Sequence, residues 1–220
     1  MNFMALFVLR IWLDDRPGAL GAVASRIGAV KGDLVGIEIL ERGGGRAIDE
    51  LMVELANPEL VSLMAREISE VDGADVEDIR PASDSMRDVR ISALSSVASL
   101  MELANTKDFV SELVGTVIFD FESDWSCLLR PKSQELLVAS GEVPTSSWLS
   151  AFAEGIASID KDGEAQGPGD VAWAPLAGSE LVIVVGREKR PYRAIEREQL
   201  RLICRIADAR YSELLAKSVG

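Results

Sequence analysis

The sequence predicts an α+β chain of two domains, and three observations predict it. Residues 1–82 read as strand, helix, strand, strand, helix, strand. Residues 89–220 read as two helices, then short strands with one helix among them, then a long closing helix. Between them residues 83–88 are small and polar, the composition of a linker.

The elements follow in order. Phe7, Leu9, Ile11 and Leu13 alternate with Val8, Arg10, Trp12 and Asp14, which makes a strand with one strongly apolar face. Asp14-Asp15-Arg16-Pro17-Gly18 breaks it, and Pro17, which has no N–H, suits a helix start. Leu20, Val23, Ala24 and Ile27 then recur at helical spacing, and Lys31-Gly32-Asp33 ends the helix with Gly32 at the left-handed cap. Strands at Leu34–Glu41 and Ala47–Leu55 flank the Gly-rich stretch Arg42–Arg46 and form a hairpin. Asn57-Pro58-Glu59 opens a helix with Leu60, Val61, Met64 and Ile68 on its buried stripe, and Val76–Arg80 is a fourth strand ended by Pro81.

In the second half, Val89–Ala104 and a segment capped by Thr106 and running to Phe121 are helices. Trp125–Arg130, Glu135–Ser140, Val171–Leu176 and the β-branched run Leu181–Val185 are strands, the last one central and buried on both faces. Thr145–Ile156 is an amphipathic helix, Asp160–Asp170 a mobile loop by composition, and Ala194–Lys217 the closing helix.

Composition excludes whole classes of function. The chain has 220 residues, 48% hydrophobic and 27% charged, which is that of a folded protein. Its 23 Lys and Arg against 36 Asp and Glu give a net charge of -13, which disfavours nucleic acid and anionic membrane surfaces. Histidine is absent, which removes Ser-His-Asp and Cys-His catalysis, His-ligated zinc and haem, and the usual general base. A non-enzymatic role is therefore expected, with no metal and no cofactor. Cys127 and Cys204 lie in apolar stretches and read as buried free thiols of a reducing compartment. Phe3–Leu13 carries Arg10 and is too short to span a membrane, so a cytoplasmic location is expected.

The β-α-β-β-α-β order is the split arrangement of ferredoxin-like domains. Within it, a strand, then Asp-x-Arg-Pro-Gly-x-Leu, a helix, and Gly-Asp-Leu opening the next strand resembles an ACT domain, the small-molecule-sensing module of amino-acid metabolism. The likeness covers Leu6–Arg80. It implies that an amino acid or similar carboxylate binds at Asp14, Arg16, Pro17, Gly18, Ala19 and Leu20, with Asp33 and Leu34 at the start of the second strand. The chemistry agrees: a helix N-terminus offers unpaired N–H groups and partial positive charge to a carboxylate. Gly18 permits close approach, and Asp33 stands where the family usually has Asn and would attract an ammonium. The alternative is that Pro17-Gly18 is only a good turn and Asp33 only solvates a loop.

The second half resembles a GAF domain over Val89–Tyr211, through Gln134–Gly141, Ala174–Arg187 and Tyr192–Ile203. It departs from the ligand-specific subtypes, because it has neither the cyclic-nucleotide residue set, nor a His for haem, nor a Cys in a bilin-attachment loop. Trp148, Phe152 and Trp173 are candidates for a pocket, against the alternative of aromatic core. Arg187, Lys189, Arg190, Arg193 and Arg197 either bind an anionic ligand or acidic partner, or form a solvated turn and helix face.

The resulting expectation is a sensor of an amino acid or small carboxylate. ACT domains commonly pair edge to edge, so a homodimer is expected, and a protein partner is a further expectation because the chain carries no output segment of its own. The alternatives are a ligand-free dimerisation scaffold and a small thiol- or carboxylate-dependent enzyme in the second half.

Overall fold

The computed structural model describes residues 4–82, 89–159 and 168–219. The expected linker, 83–88, and most of the expected loop, 160–167, lie outside the described residues. The chain divides into two compact units, Met1–Ser92 and Ala93–Gly220.

Unit 1 runs β1 (Ala5–Asp14), α1 (Ala19–Ala29), β2 (Gly32–Gly43), β3 (Arg46–Leu55), a 3-10 turn (Pro58–Leu60), α2 (Val61–Ser69) and β4 (Ala74–Pro81). The sheet order is β2-β3-β1-β4 with every neighbour antiparallel, the ferredoxin-like arrangement. One face of the sheet presents Phe7, Leu9, Ile11, Leu13, Leu51, Val53 and Leu55 to Val23 and Ile27 of α1 and Met64 and Ile68 of α2.

Several local expectations change. Pro17 is not the first helical residue: Gly18 is the N-cap, at φ 88°, and α1 begins at Ala19. The left-handed position after α1 belongs to Lys31, at φ 61°, and not to Gly32. Gly32 instead opens β2, where a Cβ would meet Ile27 Cγ2 at 2.9 Å and Val53 Cγ1 at 3.1 Å. The hairpin is tighter than the Gly-rich stretch suggested. Its turn is Gly44-Gly45 alone, both at positive φ, which matches the right-handed twist of the paired strands. Asn57 caps as expected, its side chain accepting from the Glu59 N–H at 3.0 Å.

β1 is buried on both faces. Leu6, Val8 and Arg10 on the face away from α1 and α2 are as buried as the core, and Arg10 is only 1% exposed. Arg10 Nε and Nη2 donate to Glu50 Oε1 at 2.9 and 2.8 Å, and Arg80 Nη2 reaches the same oxygen at 3.0 Å.

Unit 2 comprises α3 (Val89–Glu102), across which the division falls, then α4 (Thr106–Asp120), β5 (Trp125–Arg130), β6 (Glu135–Ser140), α5 (Ser146–Ile159), β7 (Val171–Leu176), β8 (Leu181–Gly186) and α6 (Ala194–Val219). The cap of α4 is Asn105 rather than Thr106; its Oδ1 accepts from the Asp108 N–H at 2.9 Å. The sheet order is β6-β5-β8-β7, all antiparallel. Leu128, Ile183 and Val185 face Phe109, Leu113 and Val117 of α4 and Leu200 and Cys204 of α6. On the other face Cys127, Leu129 and Val184 pack with Leu149 of α5. β5 and β8 are central and buried on both sides, which accounts for the unbroken apolar run of β8.

Three members of the basic cluster after β8 lie neither on a solvated face nor in an open anion site, while Lys189 is exposed. Arg187, Arg190 and Arg197 are buried. Arg187 donates to the carbonyls of Arg190 and Phe121, both at 2.7 Å, to that of Pro191 at 3.2 Å and to Glu196 Oε1 at 2.6 Å. Its Cζ sits 4.0 Å from the centroid of the Tyr192 ring. Arg190 pairs with Glu122, and Arg197 donates to the carbonyls of Val171 and Pro168. Arg187 and Arg190 tie the segment between β8 and α6 to the end of α4, and Arg197, on α6, holds the start of β7.

Candidate functional site

The loop Asp15–Gly18 leaves the C-terminal end of β1 and is exposed. Gly18 has no side chain to cap α1, and no side-chain cap is supplied from elsewhere. The Ala19 N–H bonds Arg16 O and the Ala22 N–H bonds Gly18 O. The N–H groups of Leu20 and Gly21 meet no acceptor among the described residues. They are the donors a carboxylate would take. The space beside Gly18 is open: a methyl group added there would meet nothing within 4 Å.

The predicted site residues divide into three groups. Ala19 is buried, and Leu20 and Leu34 pack against the unit 1 core, so their side chains face inward. Asp14 and Arg16 are engaged with the turn before β4: the Asp14 N–H bonds Gly73 O, Arg16 Nε approaches Asp14 Oδ2 at 3.5 Å and Arg16 Nη2 approaches Asp72 O at 3.4 Å. Asp33 is exposed but stands at the opposite end of the sheet. It pairs with Glu54, which pairs with Leu6, whereas the Gly18 loop follows Asp14. Leu6 to Asp14 is about eight strand residues, roughly 26 Å at 3.3 Å each. Within one chain, Asp33 and the Gly18 loop are not brought together.

Asp49 was not among the residues expected from the sequence. On β3 it stands opposite Ile11, on the same face as Leu51 and Val53. It is only 4% exposed, and its Oδ1 has no hydrogen-bond partner. Burial pushes its carboxyl up from the usual range; Arg42 opposes this and Asp15 of the loop adds to it. The signal was legible as an Asp at an inward position of the alternation Ala47, Leu51, Val53, Leu55.

A raised carboxyl has a definite linkage. The folded state holds the Asp49 proton to higher pH than the unfolded state does. Unfolding therefore becomes easier as pH rises from the ordinary Asp value near 3.8 through the folded value. Asp49→Asn is expected to raise the melting temperature at pH 7 and to leave it unchanged at pH 3. Thermal melts of both proteins across that range check this, and a neutral-pH loss of stability in Asp49→Asn would contradict it.

Unit 2 contains a cavity of about 340 Å³ lined by Trp125, Pro144, Trp148, Pro168, Asp170, Val171, Arg187 and Glu188. Of the three predicted pocket aromatics, only Trp148 lines it. Trp148 stacks on Phe152 with centroids 5.1 Å apart, and Phe152 and Trp173 pack against the small core under α5. Both thiols are sealed. Cys127 and Cys204 are fully buried, and burial pushes the Cys127 thiol up to about 12 and Cys204 likewise upward. That is the reverse of the exposed, acidic thiol a Cys127 enzyme requires. Among the described residues no three potential ligands gather to hold a metal ion, and no helix is long and apolar enough to cross a membrane.

No protein-family model matches the sequence, and no curated protein matches it. Solved structures do. A GAF domain of an Acinetobacter phosphoenolpyruvate-protein phosphotransferase is similar at 14% identity and a TM-score of 0.42, over 63% of this chain and 98% of its own. The ACT domain of a Chlorobium tepidum GTP pyrophosphokinase is similar at 19% identity and a TM-score of 0.28, over 38% of this chain and 91% of its own. An uncharacterised Thermotoga maritima protein is similar at 16% identity and a TM-score of 0.30, over 37% of this chain and all of its own. The α+β class rests on the two four-stranded antiparallel sheets and the helices that flank them.

Proposed function

We propose that unit 1 is a non-catalytic sensor of an amino acid or a similar small zwitterion. One observation carries the reading: the free N–H groups of Leu20 and Gly21 stand at the same end of the sheet as the buried carboxyl of Asp49, whose Oδ1 has no hydrogen-bond partner. Donors without acceptors suit a carboxylate, and an acid without a donor suits an ammonium. A molecule carrying both groups satisfies both ends, and neither a simple anion nor a simple amine does. The absence of histidine supports binding over turnover.

A homodimer fits the same reading. β2 is an edge strand, and Val35, Ile37 and Ile39 on it are exposed. Such an edge is a template for pairing with another strand. Two β2 strands paired antiparallel about their middles would bring the Asp33 of a second copy toward the Gly18 end of the first. Asp33 would then join the site across the dimer, and ligand binding would couple to assembly. The wider expectation of regulation through a partner protein rests on this coupling.

The test is a thermal-shift series with the twenty amino acids, each compared with its amine-only and carboxylate-only analogues. A ligand at 100 times its Kd should stabilise by about 2.7 kcal/mol, a shift of several degrees. One amino acid is expected to give that shift, and neither analogue is. Asp49→Asn is expected to abolish it despite raising the ligand-free melting temperature. A flat response across the panel would leave the ligand-free scaffold as the better account.

A further inference from the structure

We propose that the cavity in unit 2 binds a small organic cation, a quaternary ammonium or a protonated amine. This stands apart from the amino-acid site of unit 1 and does not depend on it. The walls carry the argument. Trp125 opens β5, and a Cβ at Gly186 would overlap its indole ring, so that glycine is needed for the indole to lie where it does. Trp148, at the start of α5, is 43% exposed, held from behind by its stack on Phe152. An aromatic side chain half-open beside a cavity offers a ligand a ready apolar wall. Pro144 and Pro168 complete the apolar lining.

The charged groups decide the ligand's sign. Asp170 and Glu188 line the cavity, and their carboxylates make no hydrogen bond or ion pair among the described residues. Arg187 also lines it, but its guanidinium is turned to the carbonyls of Phe121, Arg190 and Pro191 and to Glu196, which neutralises it. An anion would therefore find two carboxylates and a cation already committed. A cation would find two carboxylates and two indole rings, whose quadrupole attracts positive charge. The net charge of -13 adds a long-range attraction of the same sign. The volume suits a compact metabolite.

The experiment uses the full chain and ligand-observed NMR on the trimethylammonium signal of choline, so that no tryptophan serves as the reporter. The controls are 3,3-dimethylbutan-1-ol, the neutral isostere, and inorganic phosphate. Choline is expected to saturate and to bind at least tenfold more tightly than the isostere. Trp148→Ala and the double variant Asp170→Asn/Glu188→Gln are each expected to weaken it at least fivefold with the circular dichroism unchanged. Asp49→Asn in unit 1 is expected to leave it unaltered. Equal binding of the neutral isostere, saturation by phosphate instead, indifference to Trp148→Ala, or loss in Asp49→Asn would each overturn the proposal.

Discussion

Arg187→Lys is expected to destabilise unit 2 by about 2–4 kcal/mol, from buried carbonyls left without donors. The substitution keeps the charge, so the loss measures geometry. The guanidinium reaches four acceptors from three nitrogens: two carbonyls at 2.7 Å, one at 3.2 Å and Glu196 at 2.6 Å. A lysine ammonium donates from a single nitrogen and cannot span them. The abandoned carbonyls would be buried without donors, at about 1–3 kcal/mol each where no water enters. The stack on Tyr192 would go as well, and with it the order of the segment that leads into α6. Domains are stable by only about 5–15 kcal/mol, so the loss is a large fraction. Urea unfolding followed by hydrogen exchange in β5 and β8 measures it. A loss below about 1 kcal/mol would mean that water satisfies these groups and that Arg187 is not a structural cation.

In unit 1 the corresponding expectation is that Arg10→Met costs about 3 kcal/mol, the lower end of the range of about 3–5 kcal/mol for breaking a buried charge pair. Glu50 would remain half-paired, because Arg80 still reaches Oε1 at 3.0 Å. The methionine fills much of the vacated volume, so the loss is electrostatic rather than a cavity. The double variant Arg10→Met/Glu50→Gln is expected to recover part of it, since no unpaired carboxylate is then left in the sheet. Hydrogen exchange of the β1 and β3 amides separates this from events in unit 2. A double variant less stable than the sum of the two single ones would sink the account.

Both arginines show how far sequence reading extends. Strand β1 was legible from the alternation of Phe7, Leu9, Ile11 and Leu13, and Arg10 then fell on the polar face by parity. Parity assigns a side of the sheet but not whether that side meets water, and Arg10 is as buried as the leucines beside it. Arg187 sat in a run of charges that reads as solvated, because sequence shows neighbours along the chain. Its acceptors include Phe121, 66 positions away.

The candidate sites divide in the same way. The Gly18 turn was visible as Arg-Pro-Gly before a helical period, since the backbone demands of a strand-to-helix turn are local. Asp33 was matched to it by motif order, yet strand register sets the two at opposite ends of the sheet. Asp49 and Trp125 carry no motif. One is identified by an empty Oδ1 in the core, the other by a glycine at position 186 that leaves room for its ring.

Sequence alone settled the order and type of elements, a Gly-rich hairpin between β2 and β3 and the Asn57 cap, together with the catalytic classes that a chain without histidine cannot support. Each of these follows from composition or from interactions within a few residues. Which polar groups are buried, which strand ends lie together and which residues share a cavity emerge only in the folded molecule. Those properties depend on strand register and on packing between segments distant in the chain, where local preference carries no information.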